Sequence, residues 1–373
     1  MQQLPMEARI INEAIETLTQ YKEQGRKIVG VVQHGIFPDE LVLAAGASPL
    51  KFILGGKDEQ ELGDQYLSAT TCPYGRATLG FFHQGHPLYS LVDSVIVGTF
   101  CNGAQNVGNY LETFGIPSMP MFIPHDRSPS AIRFYISEMR KIKDYLERLT
   151  GNPISRDALS ETIKQYNDLR KQLRVINDHR KKELSPVRGT TIHELVSYAS
   201  LVGPEKGLIE CKTLIKAIGN ASKYTGSRVF LTGSGITLGD SLLQLIEQEC
   251  GGLIVADDLW SSMDYFLEDV SLNDSDLFSA LADRYLCRNL CGRMAGEKEI
   301  RIPRILELYR TFKASGIINH TLKFCDSYSN LKPEFKRIMN RQQIQVLDID
   351  RDFAESNVGQ VQTRIEAFLE MLA

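Results

Sequence analysis

The chain has 373 residues, of which 43% are hydrophobic and 24% charged, and its net charge is −4. Lysine and arginine are scattered, without basic runs interleaved with aromatic residues, which argues against a nucleic-acid partner. No apolar stretch approaches the ~20 residues that a membrane helix needs, and the charged N-terminal segment lacks the apolar core of a signal peptide. We therefore expect a cytoplasmic enzyme of two or three domains that binds neither nucleic acid nor membrane.

The N-terminal part of the chain, residues 1–130, alternates short apolar strands with helical segments. KIVGVV (27–32) is rich in β-branched residues and predicts a buried strand, which the following HGIFPDE ends. Pro38 followed by two acidic residues is typical of the first turn of a helix. Such an alternation predicts a parallel sheet covered by helices on both faces. Further strands are predicted at 48–54, 93–100 and 118–124.

The middle of the chain, residues 131–223, has a different pattern. Apolar residues recur at helical spacing in 131–149, and 158–182 continues in the same style with many Lys, Arg and Gln residues. We predict a helical layer that joins two α/β lobes.

The C-terminal part, residues 224–373, returns to alternating strands and helices. Residues 228–258 predict a strand, a loop, a helix and a strand, and further strands are expected at 316–324 and 344–350 before a closing helix at 354–372. The predicted fold class is α/β, with two Rossmann-like (flavodoxin-like) parallel-sheet lobes joined by the helical layer.

Three of the seven cysteines stand where metal ligands are expected. Cys101 and Cys325 each follow a predicted strand, and open parallel sheets place their sites beyond the carboxyl ends of the strands. Cys72 precedes a proline at a turn, a common setting for an iron–sulfur ligand, because the rigid turn fixes the direction of the thiolate. A free cysteine is otherwise most often a buried core residue. The matched placement of these three favours ligands.

The other cysteines carry weaker signals. Cys211 and Cys250 lie in helical patterns and are predicted to be core thiols. Cys287 and Cys291 form a C-x-x-x-C pair, which suits two ligands or two core thiols at helical spacing. No C-x-x-C pair occurs, so spacing alone predicts neither a zinc site nor a ferredoxin-type cluster.

A glycine-rich segment, TGSGITLGD (232–240), lies between a predicted strand and a helix. It resembles a phosphate-binding loop, with Asp257 and Asp258 as candidates for the acidic residue of a dinucleotide site. Its glycine spacing is one residue too long for that motif, so an ordinary strand-to-helix turn is the alternative. The motifs G-x-x-x-x-G-K-S/T, G-x-S-x-G and H-E-x-x-H do not occur. His34, beside Gly35, is predicted to make a local hydrogen bond.

Six segments form a combination that is more specific than any one of them. They are GVVQHGIFPDELVLAAGASPLKFILGG (30–56), CPYGR (72–76), DSVIVGTFCN (93–102), LCGRM (290–294), LKFCD (322–326) and VGQVQTRIEAFLEML (358–372). Together they cover nearly the whole chain and resemble, in the same order, segments of the 2-hydroxyacyl-CoA dehydratase and benzoyl-CoA reductase family. The resemblance is in particular to the smaller, beta-type subunits of that family.

The resemblance implies an iron–sulfur subunit with two Rossmann-like lobes. It implies a [4Fe–4S] cluster on Cys72, Cys101 and Cys325, with Cys291 as the reserve ligand. The partners would be a larger alpha-type subunit, which generally holds the acyl-CoA, and an ATP-dependent activator protein that injects one electron. The acyl-CoA is then reduced to a ketyl radical that expels its hydroxyl group. The missing nucleotide-binding motif agrees with this, because ATP would bind to the activator.

Some residues depart from the family pattern and keep alternatives open. Asn102 follows Cys101 where Asp is common, and His34–Gly35 replaces an aromatic–Cys or similar pair. Cys287 and Cys291 are similar to features of the double-cubane branch, which binds an [8Fe–9S] cluster in a homodimer and reduces small molecules. The alternatives are therefore a benzoyl-CoA reductase-type subunit, a double-cubane reductase and a cluster-free, non-catalytic scaffold. A nicotinamide enzyme is the weakest alternative.

No catalytic residue is assigned from the sequence. The start of the helix after HGIFPDE provides one further hypothesis. Backbone N–H groups there, near His34, Gly35, Ile36 and Phe37, would meet a thioester or the open site of the cluster.

Overall fold

A computed structural model describes residues 5–32, 35–353 and 358–372, and it contains two four-stranded parallel sheets. The N-terminal sheet has the strand order β2-β1-β3-β4. Gly30 of β1 pairs with Leu50 of β2 on one side and with Val95 of β3 on the other. The strands are β1 (Ile28–Val32), β2 (Ser48–Lys51), β3 (Ser94–Gly98) and β4 (Ser118–Met121).

The C-terminal sheet repeats this topology with the order β6-β5-β7-β8. In both sheets the first strand lies between the second and the third, so the chain changes direction at a topological switch point beside the first and third strands. The prediction of two α/β lobes with parallel sheets is confirmed. The strands are β5 (Ser227–Gly233), β6 (Gly252–Asp257), β7 (Gly316–Leu322) and β8 (Val346–Arg351).

The predicted helices of the middle region are present. The helix α6 begins at Pro129, one residue after Ser128, whose hydroxyl accepts a hydrogen bond from the backbone N–H of Ala131. It ends before Gly151, which adopts the left-handed conformation that favours glycine (φ 76°). The helical layer consists of α6 (Pro129–Thr150), α7 (Arg156–Asn177), α8 (Gly189–Val202) and α9 (Pro204–Ile218).

The remaining helices cover the two sheets. In the N-terminal lobe these are α1 (Met6–Glu23), α2 (Asp39–Ala44), α3 (Lys57–Gly63), α4 (Pro73–His83) and α5 (Asn102–Gly108). In the C-terminal part of the chain they are α10 (Leu242–Gln244), α11 (Leu277–Ala282), α12 (Glu297–Thr311), α13 (Asp326–Ser329), α14 (Lys332–Arg341) and α15 (Val358–Leu372). Of these, α11 packs against the core of the N-terminal sheet. No helix in the part of the chain that the structure describes is long and apolar enough to cross a membrane.

Several predicted boundaries differ from the structure. The strand expected to run through Phe324 ends at Leu322, because Phe324 adopts a left-handed backbone conformation (φ 62°). The helix expected within 228–258 is only α10, which continues as a π-helical turn over Leu245–Glu249. The closing helix begins at Val358, and residues 354–357 lie outside the described residues.

A buried polar network connects the two lobes and the helical layer. The guanidinium of Arg170, on α7, donates hydrogen bonds to Glu40 Oε1 on α2 and to the hydroxyl oxygen of Tyr285, each at 2.7 Å. The Tyr285 hydroxyl in turn donates to Glu40 Oε2 at 2.8 Å. All three side chains are buried. A charge pair of this kind is stable in the interior only because each group finds its partners, so it fixes how the three parts pack.

Candidate metal centre

A cavity of about 220 Å³ lies between the carboxyl ends of the two sheets. Four of the seven cysteines line it, and they include all three predicted ligands and the reserve residue. The third strands of the two sheets, β3 and β7, precede Cys101 and Cys325, respectively. The two thiols therefore come from equivalent switch points, which face each other across the cavity. The cysteines are Cys72, Cys101, Cys291 and Cys325.

Each of the three predicted ligands immediately precedes a helix. Cys72 precedes Pro73, the first residue of α4, and Cys101 precedes α5. The Cys101 sulfur accepts a hydrogen bond from the backbone N–H of Ala104 at 3.5 Å. Cys325 precedes the short helix α13. These positions direct backbone N–H groups toward the sulfur atoms, which favours the thiolate form.

Gly103 allows two of the thiols to come close together. A Cβ atom at this position would lie 3.6 Å from the Cys72 sulfur and 3.8 Å from the Cys101 sulfur. It would also lie 3.2 Å from the Cys72 Cβ, which is tighter than ordinary van der Waals contact. The glycine therefore leaves the space between the two sulfur atoms open.

Burial is the main influence on the acidity of the four thiols. It raises the pKa of all of them, that of Cys291 to about 12. The neighbouring thiols Cys325 and Cys101 raise the pKa of Cys72 further. For the pKa of Cys101, the Ala104 N–H group and the positive charge of Arg293 act in the opposite direction. Free thiols in this setting are protonated, and a bound metal would take the place of the protons.

The donor set matches the chemistry of an iron–sulfur cluster. Soft thiolate ligands bind iron–sulfur clusters, zinc or Cu(I), and a largely buried cavity shields such a group from water. The guanidinium of Arg293 lies in the cavity wall and pairs with Asp326 at 2.5 Å. Its positive charge would offset part of the negative charge of thiolates that bind such a group. Within the described ranges, no group of three or more His, Cys, Asp or Glu side chains is arranged to hold a metal ion.

The only tryptophan of the chain, Trp260, also lines the cavity. A Cβ atom on Gly235 would lie 2.1 Å from the indole nitrogen, and one on Gly35 would lie 3.4 Å from the Trp260 Cβ. Trp260 thus packs against strand-end loops of both lobes, with its indole ring against Gly235. The glycine of TGSGITLGD at position 235 is explained by this close contact, which supports the alternative of an ordinary strand-to-helix turn.

Asp257 and Asp258, the candidates for a dinucleotide site, have structural partners instead. The Asp257 carboxylate accepts a hydrogen bond from Arg180 at 3.3 Å, and the Asp258 carboxylate accepts one from Arg301 at 2.8 Å. All four side chains are buried. Both carboxylates are thereby engaged within the protein.

The loop after β1 lies partly outside the described residues, because His34 is not among them. Gly35 lies beside Trp260, which lines the cavity, and beside Asp264. Ile36 and Phe37 are buried in the core of the N-terminal lobe. Their predicted contact with substrate or cluster through backbone N–H groups stays a prediction.

The other three cysteines lie apart from the cavity. Cys211 lies on α9 and is buried in the core, and Cys250 follows the π-helical turn near α15. Cys287 ends a second π-helical turn (Asp283–Cys287). The structure therefore separates Cys287 from Cys291, two residues that the sequence left as a pair.

Sequence reasoning did not select four polar or aromatic residues of the cavity wall. Ser234 lies in the TGSGITLGD segment and Tyr328 in the short helix α13, and only their place beside the predicted cysteines would have drawn attention to Arg293 and Tyr328. These residues are Ser234, Trp260, Arg293 and Tyr328.

The chain is similar in sequence to beta subunits of dehydratases and to one subunit of a reductase. The chain is 26% identical to the (R)-phenyllactyl-CoA dehydratase beta subunit of Clostridium sporogenes, over 97% of this chain and 96% of that protein. It is 25% identical to the beta subunit of the (R)-2-hydroxyglutaryl-CoA dehydratase of Acidaminococcus fermentans, over 95% of each chain. It is 26% identical to a subunit of the benzoyl-CoA reductase of Thauera aromatica, over 82% of this chain and 81% of that protein.

A family model for "2-hydroxyglutaryl-CoA dehydratase, D-component" matches residues 35–372. The match includes all four cysteines of the cavity. Because it spans most of the chain, the protein belongs to the 2-hydroxyglutaryl-CoA dehydratase D-component family, as the sequence motifs predicted.

Proposed function

We propose that this chain is the iron–sulfur subunit of a radical (R)-2-hydroxyacyl-CoA dehydratase. It would hold a [4Fe–4S] cluster on Cys72, Cys101 and Cys325, and it would work with a larger alpha-type subunit and an ATP-dependent activator protein. The single observation that carries the proposal is that these three thiols, from distant segments, line one cavity at the switch points of both lobes.

When held by Cys72, Cys101 and Cys325, the cluster would supply the one-electron redox chemistry for elimination of water from the acyl-CoA. The residues of this chain hold and shield that group. Cys72 and Cys101 approach each other across Gly103, and Cys325 closes the cavity from the second lobe. The thiols are only partly exposed to solvent, and the positive charge of Arg293 would offset part of the negative charge of the thiolates.

The family comparisons support the partners. Two of the relatives are named as beta subunits of dehydratases, and the third is named as one subunit of a reductase. We propose the same kind of assembly for this chain, with the acyl-CoA bound mainly by the larger subunit. The activator would bind and hydrolyse ATP, since this sequence contains no nucleotide-binding motif of the G-x-x-x-x-G-K-S/T type.

The test is anaerobic purification, followed by measurement of iron and acid-labile sulfide per chain. We expect about four irons per chain in the natural protein and loss of the cluster in Cys72→Ala, Cys101→Ala and Cys325→Ala. Cys287→Ala is the matched control, because Cys287 lies outside the cavity-lining residues. The proposal fails if the natural protein contains no iron, and a cluster-free scaffold would then be the better interpretation.

The reaction itself is tested with the larger subunit and the activator present. Water elimination from an (R)-2-hydroxyacyl-CoA, dependent on ATP, would support the dehydratase. Reduction of benzoyl-CoA instead would assign the chain to the reductase, which the Thauera aromatica relative makes the second candidate. About eight irons per chain in a homodimer would point to the double-cubane branch.

A further inference from the structure

Ser234, the residue directly after β5, is attached to the end of β7 by two hydrogen bonds. Its backbone N–H donates to the carbonyl oxygen of His320 at 2.9 Å, and its hydroxyl oxygen accepts from the Leu322 N–H at 3.0 Å. Gly233 allows this close approach, because a Cβ atom there would lie 1.8 Å from the His320 oxygen. Ser234 is 3% exposed and lines the cavity. The position of its hydroxyl oxygen is therefore fixed by the end of β7.

A tight turn connects the end of β7 to Cys325. The Cys325 N–H donates to the Leu322 carbonyl oxygen at 3.0 Å, which closes a β-turn over residues 322–325. Phe324, the third residue of this turn, has a φ of 62°, a conformation that favours glycine. Such strain persists only where the surrounding structure enforces it, and it is common at functional sites. Leu322 thus binds Ser234 through its N–H group and Cys325 through its carbonyl oxygen.

The proton of the Ser234 hydroxyl has the Cys325 sulfur as its acceptor. A serine hydroxyl has one proton to donate, and here its oxygen already accepts from the Leu322 N–H. Burial raises the pKa of the Cys325 thiol, and hydrogen bonds from the Ser234 side chain and the Tyr328 N–H act in the opposite direction. A hydrogen bond lowers the pKa of a thiol when the partner donates to the sulfur. The O–H group of Ser234 therefore points at the sulfur.

This donor differs from those of the helix starts. The Cys101 sulfur, for example, accepts from the backbone N–H of Ala104 at 3.5 Å. A backbone donor is present whatever the side chain, whereas the donor at Cys325 depends on the residue type at position 234. A single substitution can therefore remove it.

We infer that Ser234 is a positioning residue of the proposed cluster, whose hydroxyl holds the Cys325 sulfur and raises the reduction potential of the group bound there. This inference rests on the proposed cluster at Cys72, Cys101 and Cys325. Hydrogen bonds to the sulfur atoms are among the factors that set the potential of an iron–sulfur cluster. They stabilise the more negative, reduced form more strongly than the oxidised form. The Ser234 hydroxyl thus favours transfer of an electron to this chain.

The test compares the reduction potentials of the anaerobically purified natural protein and of Ser234→Ala. Each sample is titrated with a reductant while the EPR signal of the reduced cluster is followed. We expect Ser234→Ala to bind about four irons per chain, as the natural protein does. Its redox equilibrium should move toward the oxidised form by up to about tenfold, which is a shift of up to about 59 mV to lower potential for a one-electron couple.

Ser261→Ala is the matched control. The Ser261 hydroxyl oxygen accepts a hydrogen bond from the Ile236 N–H at 3.1 Å, so it supports the same loop. Ser261 is not among the described residues that line the cavity. Its substitution should lower stability and leave the reduction potential at the natural value. An equal shift in both variants would mean that the loop, and not the Ser234 hydroxyl, sets the potential, and this result would overturn the inference.

Pulsed EPR provides a second measurement, which also works on the natural protein alone. After transfer to D2O, the deuteron of the Ser234 hydroxyl should be coupled to the reduced cluster, and Ser234→Ala should lose this coupling. Should Ser234→Ala not fold, absence of the coupling in the natural protein overturns the inference. An unchanged potential in a folded Ser234→Ala overturns it as well, while the three-cysteine cluster stands. If no sample contains iron, the proposed function fails, and the inference fails with it.

Discussion

At the scale of single residues, burial is the largest influence on the pKa of several side chains. The four thiols of the cavity are one example, and Asp264 is another. Asp264 is buried beside the loop after β1, where a Cβ atom on Gly35 would lie 3.1 Å from its Oδ2 atom. Burial raises the pKa of Asp264 to about 7, and the nearby Arg284 acts in the opposite direction.

A raised pKa of a buried acid makes the folded protein less stable as the pH rises. The folded state keeps the proton of Asp264 up to about pH 7, while the ordinary pKa of a free aspartate carboxyl is 3.8. Between pH 3.8 and about pH 7 the folded state binds more protons than the unfolded state does. The free energy of unfolding therefore falls with increasing pH over this range. We expect Asp264→Asn to remove this loss of stability at higher pH, because the amide side chain of asparagine cannot ionise.

The measurement is urea unfolding of both proteins at several pH values. The stability advantage of Asp264→Asn should grow between about pH 4 and pH 7, to a few kcal/mol, and level off above that range. Asp269→Asn serves as a control, because its carboxylate is largely exposed. A constant difference between Asp264→Asn and the natural protein over the whole range would show that Asp264 titrates normally.

At the scale of secondary-structure elements, helix ends determine how the helical layer meets the second lobe. Glu247, in the π-helical turn, accepts hydrogen bonds from the backbone N–H groups of Gly189 and Thr190 at the start of α8, both at 2.9 Å. It also accepts one from Ile254 N–H on β6 at 2.9 Å. A single carboxylate thus caps a helix of the layer and contacts a strand of the lobe.

Removal of this carboxylate should weaken the contact between α8 and β6. We expect Glu247→Ala to lower the free energy of unfolding by about 3 kcal/mol, because three buried N–H groups lose their acceptor. Glu249→Ala, in the same π-helical turn but exposed, should change it by less than about 0.5 kcal/mol. Chemical denaturation followed by circular dichroism measures the free energy of unfolding of both variants. If both substitutions changed it by the same small amount, water would be replacing the Glu247 carboxylate as the acceptor.

At the scale of the whole molecule, the network of Glu40, Arg170 and Tyr285 joins the two lobes to the helical layer. Arg170→Met would leave the Glu40 carboxylate buried without its cation, at a cost of about 3–5 kcal/mol. The double variant Glu40→Gln with Arg170→Met should recover much of this loss, because no unpaired charge remains.

A double-mutant cycle from denaturant unfolding checks this prediction. The two substitutions should be clearly non-additive, by about 1–3 kcal/mol. Arg140→Met, which breaks an exposed pair with Asp276, should cost no more than about 1 kcal/mol. Additive effects at Glu40 and Arg170 would mean that the two side chains stabilise the fold independently.

The local sequence pattern predicted most of the strands and helices, but it did not predict the residues at which they end. Continuous apolar runs predicted the strands, most of which are buried on both faces, and apolar residues at helical spacing predicted α6 and α7, which bury one face. The pattern failed at Phe324, where an apolar residue continues the strand pattern although its backbone turns away. It also failed at residues 228–258, where the Glu247 contacts accompany a π-helical turn that no local preference indicates.

The sequence by itself determined the α/β class, the two lobes, the family and the choice of Cys72, Cys101 and Cys325 as the thiols of interest. These follow from patterns that lie within short segments. Only the tertiary structure decided that these thiols line one cavity with Cys291 and without Cys287. It also decided that Asp257 and Asp258 are bound to Arg180 and Arg301. The physical reason is that such contacts join residues far apart in the chain, and the conformational preferences of short segments do not predict them.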